Sequence, residues 1–205
     1  MFPVFLNLHD RHCLVVGGGA VGQRKANALV EAGANVLAIC LEPEPATIPT
    51  GLTWRTEAYR PDHLIGMSLT FAAATSDVNA QVVADARSRG IWVNSATDPE
   101  AGDFVLPAVA HKGRIQVAVG TGGTSPALAA RIRDLLAGQI DEGLIAWVDL
   151  VAELRAEIVV GVPRERRGPL LRRLAEPEWL ARIRTEGPDA VRQALRAVVE
   201  RELGR

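Results

Sequence analysis

Cysteine is nearly absent from this sequence: its 205 residues include two, Cys13 and Cys40. Both lie inside apolar runs, CLVVGGG and LAICL, with no C-x-x-C pair and no histidine at ligand spacing, which speaks against a disulfide framework or a structural zinc site. A reducing cytoplasm is the simplest compartment for such a chain. A basic surplus is lacking too: 23 Lys and Arg face 24 Asp and Glu, a formal net charge of -1, and non-specific nucleic-acid binding needs such a surplus. No uninterrupted apolar stretch reaches the ~20 residues of a membrane span. The first residues, MFPVFLNLHDRHC, lack a basic leader and are broken by Pro3 and then by charges, so they do not read as a signal peptide. With 48% apolar and 23% charged residues the composition is that of a globular protein, which excludes a disordered or collagen-like chain.

What is present is unevenly spread. Of the 23 basic residues 21 are Arg, and residues 151–205 hold 12 Arg against 9 acids, leaving the rest of the chain at -4. The hydrophobic pattern changes along the chain as well. Short apolar runs at 13–16, 35–40, 52–57, 69–73 and 91–94 alternate with helical patterns at 21–32 and 79–88, which predicts an α/β fold with a doubly wound parallel sheet. A further extended run at 115–119 either adds to that sheet or pairs elsewhere, and Lys112-Gly113-Arg114 before it looks like a hairpin turn. From Ser125 onward the periodicity predicts helices over 126–139, 144–159, 169–174, 177–184 and 188–203, punctuated by Gly and Pro.

The first predicted strand runs into Gly17-Gly18-Gly19-Ala20-Val21-Gly22, a G-x-G-x-x-G at a strand-to-helix junction. In that context Gly17 permits the tight turn, Gly19 lets a diphosphate approach the backbone, and Gly22 lets the helix pack closely on the strand. The helix N-terminus offers free N–H groups and a positive dipole end to the phosphates. Glu42, 20 residues past Gly22, stands where an acid accepts from an adenosine ribose hydroxyl, which favours NAD over NADP; Leu41-Glu42-Pro43-Glu44-Pro45 also reads as an ordinary acidic loop.

A second glycine-rich loop, Gly120-Thr121-Gly122-Gly123-Thr124-Ser125-Pro126, precedes another helix. Thr124 or Ser125 can cap it, Pro126 suits its first turn, and Arg131 and Arg133 follow, so the loop can hold a substrate carboxylate or close over a nicotinamide. Between the two loops, Asp98 and Asp103 follow a buried strand, where the crevice of an open α/β sheet calls for a general base. Asp98-Pro99 is equally a common turn. His9, His12, His63 and His111 are dispersed and read as turn or surface residues.

Taken in order, Phe2-Pro3-Val4-Phe5-Leu6-Asn7-Leu8, the glycine turn with Arg24-Lys25-Ala26, Ala73-Ala74-Thr75, Val93-Asn94 with Asp98-Pro99, residues 103–108 and Gly122-Gly123-Thr124-Ser125-Pro126-Ala127-Leu128-Ala129 resemble the precorrin-2 dehydrogenases. That family includes the N-terminal part of siroheme synthase and the bifunctional dehydrogenase and sirohydrochlorin ferrochelatase. The resemblance covers residues 2–136 and implies a Rossmann-type NAD-binding domain over 1–112, a dimerisation segment over 113–143 and a small helical domain over 144–205. It implies a homodimer with its active site near the interface. It also implies NAD contacts at Ala20 and Val21 and at Leu41 and Glu42, and it aligns Ser125 with a loop serine phosphorylated in some members. Two features depart from the family. The stretch before Asn79 is about two residues shorter, and with Asn94 and Pro99 in register the catalytic aspartate of the family falls on Thr97, beside Asp98.

The reaction this implies is oxidation of precorrin-2 to sirohydrochlorin, NAD taking the hydride while Asp98, or a water it orients, takes the proton. The tetrapyrrole is a polycarboxylate, for which Thr124, Ser125, Arg131, Arg133, Arg114 and the Arg-rich helices are the candidate partners. A bifunctional enzyme that also inserts Fe2+ or Co2+, and a non-catalytic dimer that binds NAD or tetrapyrrole, are the alternative readings.

Overall fold

The computed structural model describes residues 1–203. The chain forms two compact units that divide between Leu106 and Pro107. The first carries β1 (His12–Val16), α1 (Ala20–Glu31), β2 (Asn35–Cys40), β3 (Leu52–Thr56), β4 (Leu69–Ala72), α2 (Ser76–Ser88) and β5 (Trp92–Ser95). Its five strands are all parallel, in the order β3-β2-β1-β4-β5. This is the doubly wound Rossmann-type sheet that the alternating pattern predicts. The chain winds outward from β1 to β3 and then crosses to β4, so the switch point, where such sheets bind ligands, lies at the C-terminal end of β1.

The continuous apolar run of β1 follows from burial on both faces. Cys13 and Val15 join the core under α1, together with Ala26, Leu29, Val36, Trp54 and Phe71. Leu14 and Val16 join the opposite core with Ile39, Ala72, Val82 and Val93. Val16 stands level with Ile39 and Ala72, and Ala72 with Ser95, so the strands deliver their loops to one edge. Burial pushes the thiols of Cys13 and Cys40 up to about 11, so both stay protonated at neutral pH.

In the second unit β6 (Ala108–Lys112) and β7 (Ile115–Val119) form an antiparallel hairpin, which settles where the extended run at 115–119 pairs. The first domain boundary expected from sequence, after residue 112, falls at this hairpin's turn. The compact units divide ahead of it because its two strands pair with one another. Five helices follow: α3 (Pro126–Ala137), α4 (Glu142–Gly161), α5 (Arg164–Leu174), α6 (Pro177–Glu186) and α7 (Pro188–Leu203). Leu150, Leu154 and Ile158 recur every four residues along α4 and bury against Leu170, Leu174, Trp179, Ile183, Val191 and Leu195. Two helices, α2 and α5, start three or more residues earlier than the pattern predicts. α5 begins at Arg164 with Pro169 inside it, where burial of Leu170 and Leu174 offsets one lost backbone hydrogen bond. α2 begins at Ser76, where the extended Thr75 holds the N-cap position without a side-chain capping hydrogen bond. Among the described residues no helix is long and apolar enough to cross a membrane.

Asp141 caps α4 and ties it to α6. Its Oδ1 accepts from the Leu144 amide at 2.8 Å and its Oδ2 from Arg184 Nε at 2.8 Å. The Leu144 amide, with the Arg184 guanidinium, holds this carboxyl below the usual aspartate range against a smaller opposing effect of desolvation. A depressed native pKa contributes stability above the unfolded value that is lost as pH falls through the native one. Asp141→Asn is therefore expected to melt below the native chain at neutral pH, with the gap closing as pH is lowered below the aspartate range in thermal melts.

Candidate dinucleotide site

β1 ends at Val16 and three glycines carry the chain into α1. Gly17 turns at φ 115°, and a Cβ there would collide with the Ala73 carbonyl at the exit of β4. A Cβ at Gly22 would collide with the Gly17 carbonyl. At Gly18 it would lie 2.9 Å from Cys40 Sγ and from the Trp54 ring. These three glycines are required by the protein's own packing. Gly19 differs: its φ of -66° and ψ of 175° suit any residue, and nothing stands within 4 Å of its missing Cβ. The chain itself has no need of glycine here, and the open space is what a ligand approaching the backbone requires.

Gly19 is also the N-cap of α1 and supplies no side-chain acceptor. The amides of Ala20, Val21 and Gly22 find no acceptor among the described residues. Gln23 instead turns its Nε2 back to the Gly18 carbonyl at 2.7 Å. Unsatisfied first-turn amides at the positive end of a helix, beside an unobstructed glycine, fit the diphosphate of a dinucleotide. Glu42 comes to the same turn, its Oε2 accepting from the Gly18 amide at 3.3 Å, and Leu41 beside it is exposed. Gly17, Gly19, Ala20, Val21, Gly22, Leu41 and Glu42 thus gather at the switch point.

The loops after β4 and β5 are joined by a residue the sequence reading passed over. Asn79 is 1% exposed; its side chain accepts from the Ala74 amide at 2.8 Å and donates to the Ala74 carbonyl at 3.1 Å and to Thr97 Oγ1 at 3.0 Å. An Asn inside a helix, where it is a poor former, was the available signal. Lys25, which follows the glycine turn, takes a role that its motif does not assign. Its Nζ donates to the buried Asn94 at 2.7 Å and stands 5.0 Å from the centre of the Phe71 ring, while Asn94 donates to the Phe104 carbonyl at 2.9 Å. Desolvation, with Arg24 nearby, lowers the pKa of this lysine.

Thr97 faces Asn79, and the neighbouring Asp98 turns the other way. The Asp98 Oδ1 accepts from the Glu100 and Ala101 amides at 3.1 and 3.2 Å, capping a short turn, and its Oδ2 has no partner among the described residues. Asp103 is occupied by structure: Oδ2 accepts from the Val93 amide at 2.9 Å and Oδ1 pairs with Arg87 at 3.2 Å. In the second unit, Ser125 Oγ caps α3 by accepting from the Leu128 amide at 3.2 Å. Thr124 and Arg131 flank that cap, both exposed, and Arg131 has no ion pair among the described residues.

Residues 4–108 match the family model described as "Putative NAD(P)-binding", just over half of the chain. The chain belongs to that family. The chain therefore takes a nicotinamide dinucleotide. Residues 112–139 match a second model, "Sirohaem biosynthesis protein central". Among similar proteins are the siroheme synthases of Tolumonas auensis, 34% identical over 93% of this chain and 42% of that protein, and of Methylococcus capsulatus, 36% identical over 95% and 43%. That of Chromobacterium violaceum is 42% identical over 69% of this chain and 31% of its own. The chain spans less than half the length of these relatives. A solved structure titled "SirC, precorrin-2 dehydrogenase" shares the fold, with a TM-score of 0.71 at 22% identity over 96% of this chain and all of that one.

The glycines separate packing from binding. Gly22→Ala is expected to destabilise the chain by about 1–3 kcal/mol through overpacking. Gly19→Ala should leave the melting temperature unchanged and weaken dinucleotide affinity roughly tenfold or more, since its methyl group fills the space at the phosphates. Thermal melts and calorimetric titration of both variants check the two statements separately.

Proposed function

We propose that this chain catalyses the NAD-dependent dehydrogenation of precorrin-2 to sirohydrochlorin on the route to siroheme or a related tetrapyrrole. The observation that carries the proposal is the open Gly19 with the unpartnered amides of Ala20, Val21 and Gly22, in a chain similar to siroheme synthases over nearly its whole length. Gly17, Gly19 and Gly22 with those amides hold the diphosphate. Leu41 and Glu42 hold the adenosine ribose, and the carboxylate of Glu42 at Gly18 favours NAD, because a 2′-phosphate would meet like charge there. NAD, when bound, supplies the acceptor for the hydride that leaves the tetrapyrrole.

The chain's own residues then orient the substrate and take the proton. Asp98 is the base of this reading: Oδ1 is held by two amides, which fixes the carboxylate, and Oδ2 is left to accept a proton directly or through a water. Thr124, Ser125 and Arg131 receive carboxylates of the tetrapyrrole, Arg131 by a charge-assisted pair. The partner in assembly is a second copy of the chain. Leu128, Leu135 and Leu136 of α3 are exposed large apolar residues, which supports the 113–143 segment as the dimerisation segment. Two buried, protonated thiols suit a reducing cytoplasm.

Incubation of the purified chain with precorrin-2 and NAD, followed in the visible spectrum, is expected to show sirohydrochlorin and NADH forming together. No sirohydrochlorin would sink the reading. Asp98→Asn keeps an acceptor for the capping amides and removes the base, so turnover should fall about a hundredfold with NAD affinity intact. Undiminished turnover would take Asp98 out of the mechanism. Adding Fe2+ or Co2+ after the first reaction tests in the same cuvette whether metal insertion follows.

A further inference from the structure

The carboxylate of Glu42 reaches the glycine turn from a backbone that is held mainly from β3, with the Cys40 thiol of β2 a weaker donor to the Glu42 carbonyl at 3.8 Å. The Glu42 carbonyl accepts from Trp54 Nε1 at 3.2 Å and from Thr56 Oγ1 at 3.3 Å. Register puts those donors there: Ala38 pairs with Trp54 and Cys40 with Thr56, so both β3 side chains lie at the point where the chain leaves β2. Pro43 follows, and a residue before proline is confined to extended backbone. Trp54 also touches the other side of the gap. Its Cη2 and Cζ2 lie 2.9 Å from where a Cβ of Gly18 would be, while its indole N–H holds Glu42. One buried side chain therefore spaces the glycine turn from the acid that faces it.

We propose that Trp54 and Thr56 are positioning residues that set which nicotinamide dinucleotide the site accepts. By holding the carbonyl of Glu42 they aim its carboxylate at Gly18, where a ribose 2′-hydroxyl can donate to it and a 2′-phosphate is repelled. Released from that tether, the exposed loop after β2 lets the carboxylate swing away, and the discrimination is lost with it. This rests on the NAD reading above.

The test is calorimetric titration of the full chain and of Trp54→Phe, Thr56→Val and their combination with NAD and with NADP. Trp54→Phe keeps an aromatic ring against Gly18 and removes the indole donor; Thr56→Val removes the hydroxyl at an exposed position with the backbone unchanged. The native chain is expected to prefer NAD. The NAD-to-NADP affinity ratio should fall about threefold in Thr56→Val and about tenfold or more in the combined variant, the worth of one and two hydrogen bonds to a positioning carbonyl. A residue with a merely structural role weakens both dinucleotides together. A ratio that stays within error of the native value in Thr56→Val and in every folded variant therefore overturns the proposal, and Thr56→Val decides it if Trp54→Phe does not fold. A native chain that prefers NADP overturns it as well. A native chain that binds neither dinucleotide overturns the NAD reading itself, so the two failures are distinguishable.

Discussion

At Gly17, Gly18 and Gly22 the backbone of the glycine turn has no room around it, and much of the first unit is arranged on that constraint. Gly17 lies against the Ala73 carbonyl and Gly22 against the Gly17 carbonyl, so β1, the exit of β4 and the start of α1 meet as bare backbone. The Gly17 amide donates to the Ile39 carbonyl at 2.9 Å, and the Ala73 amide donates to the Val16 carbonyl at 2.7 Å, which ties β2 and β4 into the same junction. Close packing here sets where the α1 N-terminus points and leaves the one unobstructed glycine, Gly19, at its mouth. A cofactor held by backbone amides and a helix dipole needs no basic side chain. The acidic balance of the first 150 residues therefore does not conflict with binding a diphosphate.

Around that junction the site is built from tethers between loops. Asn79 holds the loop after β4 to Thr97 after β5. Trp54 and Thr56 hold the loop after β2. Asp98 holds its own turn. In each case a side chain satisfies backbone groups of an irregular segment, so the loops at the sheet edge keep a defined shape without regular hydrogen bonding. The second unit uses the same device at Ser125 and Asp141, each capping a helix with its side-chain oxygen. Beside the second glycine-rich loop, Arg131 has no ion pair among the described residues.

What could be read from the residues in order was the local and periodic part. The β1 run, the glycine turn and the i, i+4, i+7 spacing of Gly22, Ala26 and Leu29 on α1 are local patterns, and they led directly to a parallel sheet and its switch point. The local caps at Asp98 and Ser125 were legible, but the tethers between elements were not, because they depend on tertiary proximity: Asn79 meets Thr97 from 18 residues away, and Trp54 meets Glu42 only through the β2–β3 register. Pro169 inside α5 reversed a local rule because Leu170 and Leu174, which follow it in the helix, are buried. The extended run at 115–119 left two pairings open, and the Gly113 turn chose the hairpin.

Backbone amide chemical shifts followed as NAD is added are the most direct test, because a diphosphate bound at this turn would rest on backbone amides. The largest changes are expected at Gly18, Gly19, Ala20, Val21 and Gly22 and at Glu42, with those of the second-unit helices small. Changes that spare the glycine turn, or that concentrate elsewhere in the chain, would contradict binding there.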